Sequence, residues 1–214
     1  MLIQRVSNAG VLLQLDGIKL LLDGFCRGYG PFLATPEQIC DRLLTEPPDL
    51  LAFTHEHEDH FHAALASEYR KQTLRPIIGP ENLPYGTTSR GVAVGGVTIQ
   101  PVKSRHIGKA DADIPHVSYA VQGSRTVWFM GDAVPTQWRE LQEKADVVIV
   151  PFGYALTDSA WQLTCSLADT VVLVHMPLPE NDPDGLWPQV RCVIARHCPV
   201  KLYIPQIGEE LTLP

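Results

Sequence analysis

Long hydrophobic runs are missing from this sequence: its apolar stretches, such as Val11-Leu12-Leu13 and Val147-Val148-Ile149-Val150, are strand-length and too short to cross a bilayer. No membrane partner is expected. The opening Met1-Leu2-Ile3-Gln4-Arg5 lacks the basic stretch and long apolar segment of a secretory signal, which makes cytoplasmic residence the default. Basic charge is also scarce. A formal net charge of -7 and a pI near 5.6 disfavour a broad attraction to nucleic acid or anionic lipid. The five cysteines, Cys26, Cys40, Cys165, Cys192 and Cys198, form no C-x-x-C pair, and an odd count leaves at least one without an internal disulfide. Reduced thiols packed as small hydrophobes are the simpler expectation. Low-complexity blocks and fixed-period repeats are absent too, so neither disorder nor a solenoid is indicated.

What is present suits one domain over residues 1–214: 45% hydrophobic and 19% charged residues in a chain long enough to bury a substantial core. Leu2 to Ser7, Val11 to Leu15 and Ile18 to Leu22 read as strands, the last two joined by the hairpin dipeptide Asp16-Gly17. A helix signal begins at Thr35-Pro36, carries Ile39, Leu43 and Leu44 on one face and ends at Pro47-Pro48. Asp49 to Thr54 reads as a buried strand, and Phe61 to Lys71 has helical composition. Further strands are expected at Pro76 to Gly79, Val92 to Val94, Val97 to Lys103, Val117 to Gln122 and Thr126 to Met130. From Pro135 the pattern alternates: a helix to Lys144, strands at Val147 to Val150 and Thr170 to Val174, a helix near Leu186 to His197, and a strand at Lys201 to Ile204. This order predicts two sheets packed face to face with helices on their outer faces, a mixed α/β (α+β) architecture.

The chemistry concentrates in Thr54-His55-Glu56-His57-Glu58-Asp59-His60, which follows a strand and precedes a helix. In extended backbone, residues two apart point the same way, so His55 and His57 can grip one cation while Asp59 and His60, past the turn, reach a second. Three more ligand types each follow an apolar strand: His106, Asp132 (through Gly131, which lets backbone approach closely) and His175. Imidazole and carboxylate donors favour zinc, with Mn2+, Fe2+ and Ni2+ permitted by ligand type.

His-x-His-x-Asp-His, a distant His, a Gly-Asp after a strand and a final His together resemble the metallo-β-lactamase superfamily. The resemblance covers nearly the whole chain and implies a four-layer αββα sandwich with metals at one edge. It further implies that His55, His57 and His106 hold a first divalent ion, that Asp59, His60 and His175 hold a second, and that Asp132 bridges them. The segments Asn8-Ala9-Gly10-Val11, Leu22-Asp23-Gly24 and Asp146 through Gly153 are similar to small bacterial members related to ascorbate-phosphate lactonases. The segment from His175 to Glu180 departs from the surroundings of the last His there, and no motif fixing a phosphate is visible. Di-iron electron-transfer members carry Glu at the second motif position, where this chain has His57.

Glu56 and Glu58 are expected to point away from the first metal, as solvated charge or as orienting partners of a ligand histidine. Asp23 is placed to hydrogen-bond within the motif loop rather than to ligate. His116 is a candidate proton donor or electrostatic contact, and Asp59 a ligand that also orients the nucleophile. His62, Tyr154 and Trp161 are weighed as pocket residues against ordinary packing, and His197 as a complement to a helix dipole. The function expected is metal-dependent hydrolysis of a small ester, lactone or phosphoester by a hydroxide bound between two ions. The alternatives are a phosphodiesterase or nuclease, and a non-catalytic metal-binding sensor.

Overall fold

The computed structural model describes residues 1–84, 90–139 and 143–213. Two sheets carry the molecule. The first joins Leu2–Arg5 (β1), Val11–Leu15 (β2), Ile18–Leu22 (β3), Leu50–Ala52 (β4), Ile77–Ile78 (β5) and Glu210–Thr212 (β13) in the order β13-β1-β2-β3-β4-β5. The second joins Val92–Val94 (β6), Val97–Arg105 (β7), Pro115–Gln122 (β8), Thr126–Phe129 (β9), Ala145–Pro151 (β10), Ala168–Val174 (β11) and Lys201–Tyr203 (β12) in the order β12-β11-β10-β9-β8-β7-β6. Helices Glu37–Thr45 (α1) and Ala63–Thr73 (α2) belong to the first half of the chain, Asp158–Leu167 (α3) and Leu186–Arg196 (α4) to the second. The two-sheet, helix-covered architecture expected from sequence is the one observed.

Period-two alternation explains the layering, because successive side chains in a strand face opposite sides of the sheet. Val11, Leu13, Leu15, Leu20 and Leu22 meet Val147, Ile149, Val172 and Val174 in the core between the sheets. Their neighbours turn outward: Leu21 packs with Leu43, Phe53 and Tyr69 beneath α1 and α2, while Val148, Val150, Val171 and Leu173 pack with Trp161 and Val190 beneath α3 and α4. Strands buried on both faces read as continuous apolar runs, and β10 and β11 do. The hairpin at Asp16-Gly17 forms as expected, with both residues at positive φ (51° and 82°).

Some elements differ from expectation. The helix predicted from Pro135 to Lys144 is a single 3-10 turn, Pro135–Trp138, and residues 140–142 of that prediction lie outside the described ones. Helix α3 was not signalled, because Trp161, Leu163, Cys165 and Leu167 alternate like a strand; the buried face is Trp161, Thr164, Cys165 and Leu167, with a threonine concealing the helical period. The last strand, β13, is three residues long and too short for any period. The sequence predicts an irregular stretch from Pro80 to Arg90; part of it, residues 85–89, lies outside the described residues. No helix among the described residues is long and apolar enough to cross a membrane.

Candidate metal centre

Topology gathers the site. In the second sheet β7 is antiparallel to β8 and β8 to β9, while β9, β10 and β11 are parallel, so β7, β9 and β11 run the same way. Their C-terminal ends share one edge, and His106, Asp132 and His175 follow those ends. The first sheet brings its motif alongside: Val117 N–H donates to Thr54 O (3.0 Å) and Tyr119 Oη to Phe53 O (2.6 Å), stitching the end of β4 to β8.

The ligand types fall into three overlapping groups whose donor atoms lie within 4.8 Å of one another: His55, His57 and His106; His55, His60 and Asp132; Asp59, His60 and His175. Asp132 Oδ2 sits between them, 3.3 Å from His60 Nε2, 3.4 Å from His175 Nε2 and 3.8 Å from His106 Nε2. These are the residues singled out from sequence, in the two triads the resemblance implies.

The donor set fits divalent cations. His55 Nδ1 faces Thr54 Oγ1 (2.9 Å), whose own proton goes to Asp23 Oδ2 (2.6 Å), so the hydroxyl accepts from the ring. His60 Nδ1 pairs with Asp23 Oδ2 (2.8 Å) and His106 Nδ1 with Ile107 O (2.5 Å). In each case the partner fixes the tautomer and turns the Nε2 lone pair toward the cluster. Among the described residues the buried atoms His106 Nε2 and Asp132 Oδ1 have no hydrogen-bond partner, and imidazole nitrogens face one another at 3.1 Å in His55–His57 and in His60–His175. Unpaired buried donors and acceptors are costly unless something satisfies them, and a divalent cation would satisfy these.

Electrostatics agree. Burial would raise the Asp132 carboxyl, but His175 and His60 beside it hold it well below the usual carboxylate range. Burial would lower the His175 ring, yet Asp132 and Asp59 lift it to about 9. His60 is raised in the same way, against burial, by Asp132 and Asp23. Burial instead pushes the His55 and His106 rings below the ordinary histidine value, so protons collect on His60 and His175, beside the carboxylates.

His116 does not take the proton-donor position expected of it. Its Nδ1 meets Ser104 Oγ (2.6 Å) and its Nε2 accepts from Asp132 N–H (3.0 Å), leaving no nitrogen free for substrate. Burial pushes its pKa down to about 3, so the ring is neutral near pH 7 and braces the Asp132 backbone. Gly131 also departs from expectation: at φ +53° its missing Cβ makes room for the Thr54 side chain, 2.6 Å from where that Cβ would stand, rather than for a metal. Asp23 acts as anticipated within the motif loop, accepting from Thr54 N–H (2.7 Å) as well.

Arg5 and Asn8 carry structure that sequence reasoning missed. The fully buried Asn8 donates from Nδ2 to Asp59 Oδ2 (3.3 Å), and its carbonyl accepts from His175 N–H (3.0 Å), holding a residue at φ 60°. The Arg5 guanidinium donates to Ser7 O, Asn8 O, Pro205 O and Met176 O, tying both loops together. An isolated arginine in a short strand carries no signal of such a role.

A cavity of about 790 Å³ opens over Asp59, Asp132 and His175 and has Phe32, Phe152 and Leu156 along one side. His62, His116, Tyr154 and Trp161 are not among its lining residues. His62 instead caps α2 by accepting from Leu65 N–H, and Tyr154 and Trp161 are fully buried in the core. Glu56 and Glu58 stand at the rim, bonded to Asn82 and Arg27.

Residues 3–176 match the family described as the beta-lactamase superfamily domain. The chain belongs to that family. The two-sheet fold described above is that of the metallo-β-lactamase superfamily, a superfamily of metal-dependent hydrolases. Among solved structures the chain is similar to a possible metal-dependent hydrolase from Veillonella parvula (17% identity, 100% of this chain and 99% of that one, TM-score 0.76). It is also similar to an isothiocyanate hydrolase from Delia radicum gut bacteria (19%, 100% and 99%, TM-score 0.67). A third, a diiron β-hydroxylase from Streptomyces venezuelae, is 13% identical and matches 99% of this chain over 54% of its own length, with TM-score 0.69. At these identities the likeness is one of fold. No curated protein matches the chain.

Proposed function

We propose that this protein is a dinuclear hydrolase of small molecules, cleaving an ester, lactone or phosphoester, with His55, His57 and His106 holding one divalent ion, Asp59, His60 and His175 the other, and Asp132 shared. The observation that carries the reading is the position of Asp132 Oδ2 between the triads, with buried lone pairs converging on it. Two zinc ions are the first choice on donor type. When bound, they supply a water acidic enough to act as hydroxide near neutrality and polarise the substrate oxygen.

The chain's own groups do the positioning. Asp59 Oδ2, within 3.1 Å of His175 Nε2 and fixed by Asn8, faces the cavity and can orient the attacking water. Asp23 and Thr54 lock the rings of His60 and His55, so little reorganisation accompanies reaction. In ester hydrolysis the water oxygen bonds to the acyl carbon, the acyl C–O bond breaks and the leaving oxygen takes a proton. A cavity of about 790 Å³ lies within the roughly 300–1,000 Å³ usual for small-molecule sites. The isothiocyanate hydrolase among the similar structures acts on a small molecule as well.

Elemental analysis of purified protein should find close to two transition-metal ions per chain, and Asp132→Ala should lose metal and turnover of chromogenic esters together. Full metal content with unchanged turnover in that variant would remove Asp132 from the centre. A panel of RNA and DNA tests the rival: metal-dependent cleavage faster than that of small esters would favour a nuclease.

A further inference from the structure

The wall of the cavity is more specific than its floor. Residues Tyr29 to Phe32 form a tight turn closed by two reciprocal backbone hydrogen bonds, Tyr29 N–H to Phe32 O (2.9 Å) and Phe32 N–H to Tyr29 O (3.0 Å), with Gly30 at φ 56°. The turn presents both aromatic rings to the cavity. Phe32 stacks on Phe152 (centroids 6.0 Å apart, planes at 15°) and meets His175 edge-on at 4.5 Å. Tyr29 is 70% exposed, a large apolar face with nothing over it. Ile107 and Leu156, each half-buried, extend the same surface.

Charge at the mouth has one sign. Glu56, Glu58 and Asp111 line it, and among the described residues no lysine or arginine side chain does. Arg27 pairs with Glu58 at 3.3 Å, but both groups are more than half exposed, so this pair is weak and screened. Glu56 accepts from the neutral Asn82 amide at 2.9 Å, and Asp111 stands 3.9 Å from His57 Nε2. An anionic substrate group reaching past the reacting bond would meet carboxylates, with no cationic side chain to replace its hydration.

We propose that the substrate is an uncharged acyl compound bearing an aromatic or bulky apolar group, which seats against Tyr29, Phe32, Phe152 and Leu156, and that Glu56, Glu58 and Asp111 select against anionic substrates. The proposal rests on the hydrolase reading and narrows it away from phosphoesters. Preformed aromatic faces supply contact area at little ordering cost, and the acidic rim discriminates by repulsion.

The test uses matched esters with the metal-loaded protein. Benzyl butyrate and monobenzyl succinate share the reacting ester and differ by one carboxylate; benzyl butyrate and ethyl butyrate differ by the aryl group. The expected kcat/KM for benzyl butyrate exceeds each of the others by about ten-fold or more. Tyr29→Ala and Leu156→Ala should shrink the benzyl-to-ethyl ratio, and Glu56→Gln with Asp111→Asn should shrink the butyrate-to-succinate ratio. Ratios cancel any loss of metal common to both substrates. Equal rates or a preference for the succinate would overturn the proposal. Calorimetry with N-benzylbutyramide and N-benzylsuccinamate separates the two readings: preferential binding of the uncharged amide without ester turnover sinks hydrolysis and keeps the selectivity, whereas no preference in binding or turnover sinks the selectivity.

Discussion

Asp23 shows how much of a metal site can depend on a residue that holds no metal. One carboxylate receives Thr54 N–H, Thr54 Oγ1 and His60 Nδ1, and through Thr54 it also fixes His55. An amide at this position puts a donor where an acceptor is required. Asp23→Asn is therefore expected to weaken metal binding about 10–100-fold while leaving the ligand set intact, as read by competition with a chromophoric chelator; unchanged affinity would mean that the rings are held by packing alone. His116 supports a similar expectation. Replacing it with Phe strands the buried Asp132 N–H, which should cost about 1–3 kcal/mol in denaturant unfolding. Any residual activity should keep the same pH–rate limbs, since a ring with a pKa near 3 donates no proton near neutrality. At this scale the sequence was legible where a residue's role follows from its type and its place after a strand, as for His106, Asp132 and His175. Asn8, Arg5 and His116 were not legible in the same way, because their roles are defined by partners more than ten residues away, such as Asp59, Met176 and Ser104.

Elements were readable in proportion to how plainly their periodicity shows. The strands β2, β3, β10 and β11 alternate between two apolar cores and announce themselves. Helix α3 hides its period behind Thr164, whose hydroxyl is buried by bonding to Ala160 O (2.8 Å). Its N-cap is nevertheless well formed: Thr157 Oγ1 accepts from Ala160 N–H at 3.2 Å. Thr157→Ala should lower stability by roughly 1 kcal/mol, read as a fall in Tm, with metal content unchanged because α3 packs on the outer face of the second sheet. The turn after β9 behaves differently. Gly131→Ala forces a side chain into φ +53° and against Thr54, so it should cost about 1–3 kcal/mol and reduce metal occupancy as well. A variant with full occupancy and unaltered Tm would show that the Gly131–Thr54 contact is dispensable.

For the molecule as a whole, fold class followed from the order of ligands and strands, and the substrate wall did not, since Phe32 and Phe152 lie 120 positions apart and meet only in three dimensions. The centre also links folding to pH. The folded His175 pKa of about 9 lies above the ordinary 6.5, so the metal-free fold keeps this stabilisation fully below pH 6.5 and loses it as pH rises through 9. A metal reverses the preference by expelling the proton. Metal affinity should therefore weaken as pH falls, and calorimetry at pH 7 in buffers of different ionisation enthalpy should register proton release on binding; binding with no proton release would contradict the raised His175. Finally, β1 and β13 lie antiparallel with Leu2 opposite Thr212, and the Met1 amino group donates to Leu213 O at 3.2 Å. Since β1 leads from Met1 toward Asn8, this junction sits at the far end of the strand from the metal cluster. Because β1 and β13 lie on opposite sides of the exposed Gly95-Gly96 turn in the chain, proteolytic nicking at that turn should leave two pieces that remain clasped through this pairing and the shared core, co-eluting and still binding metal.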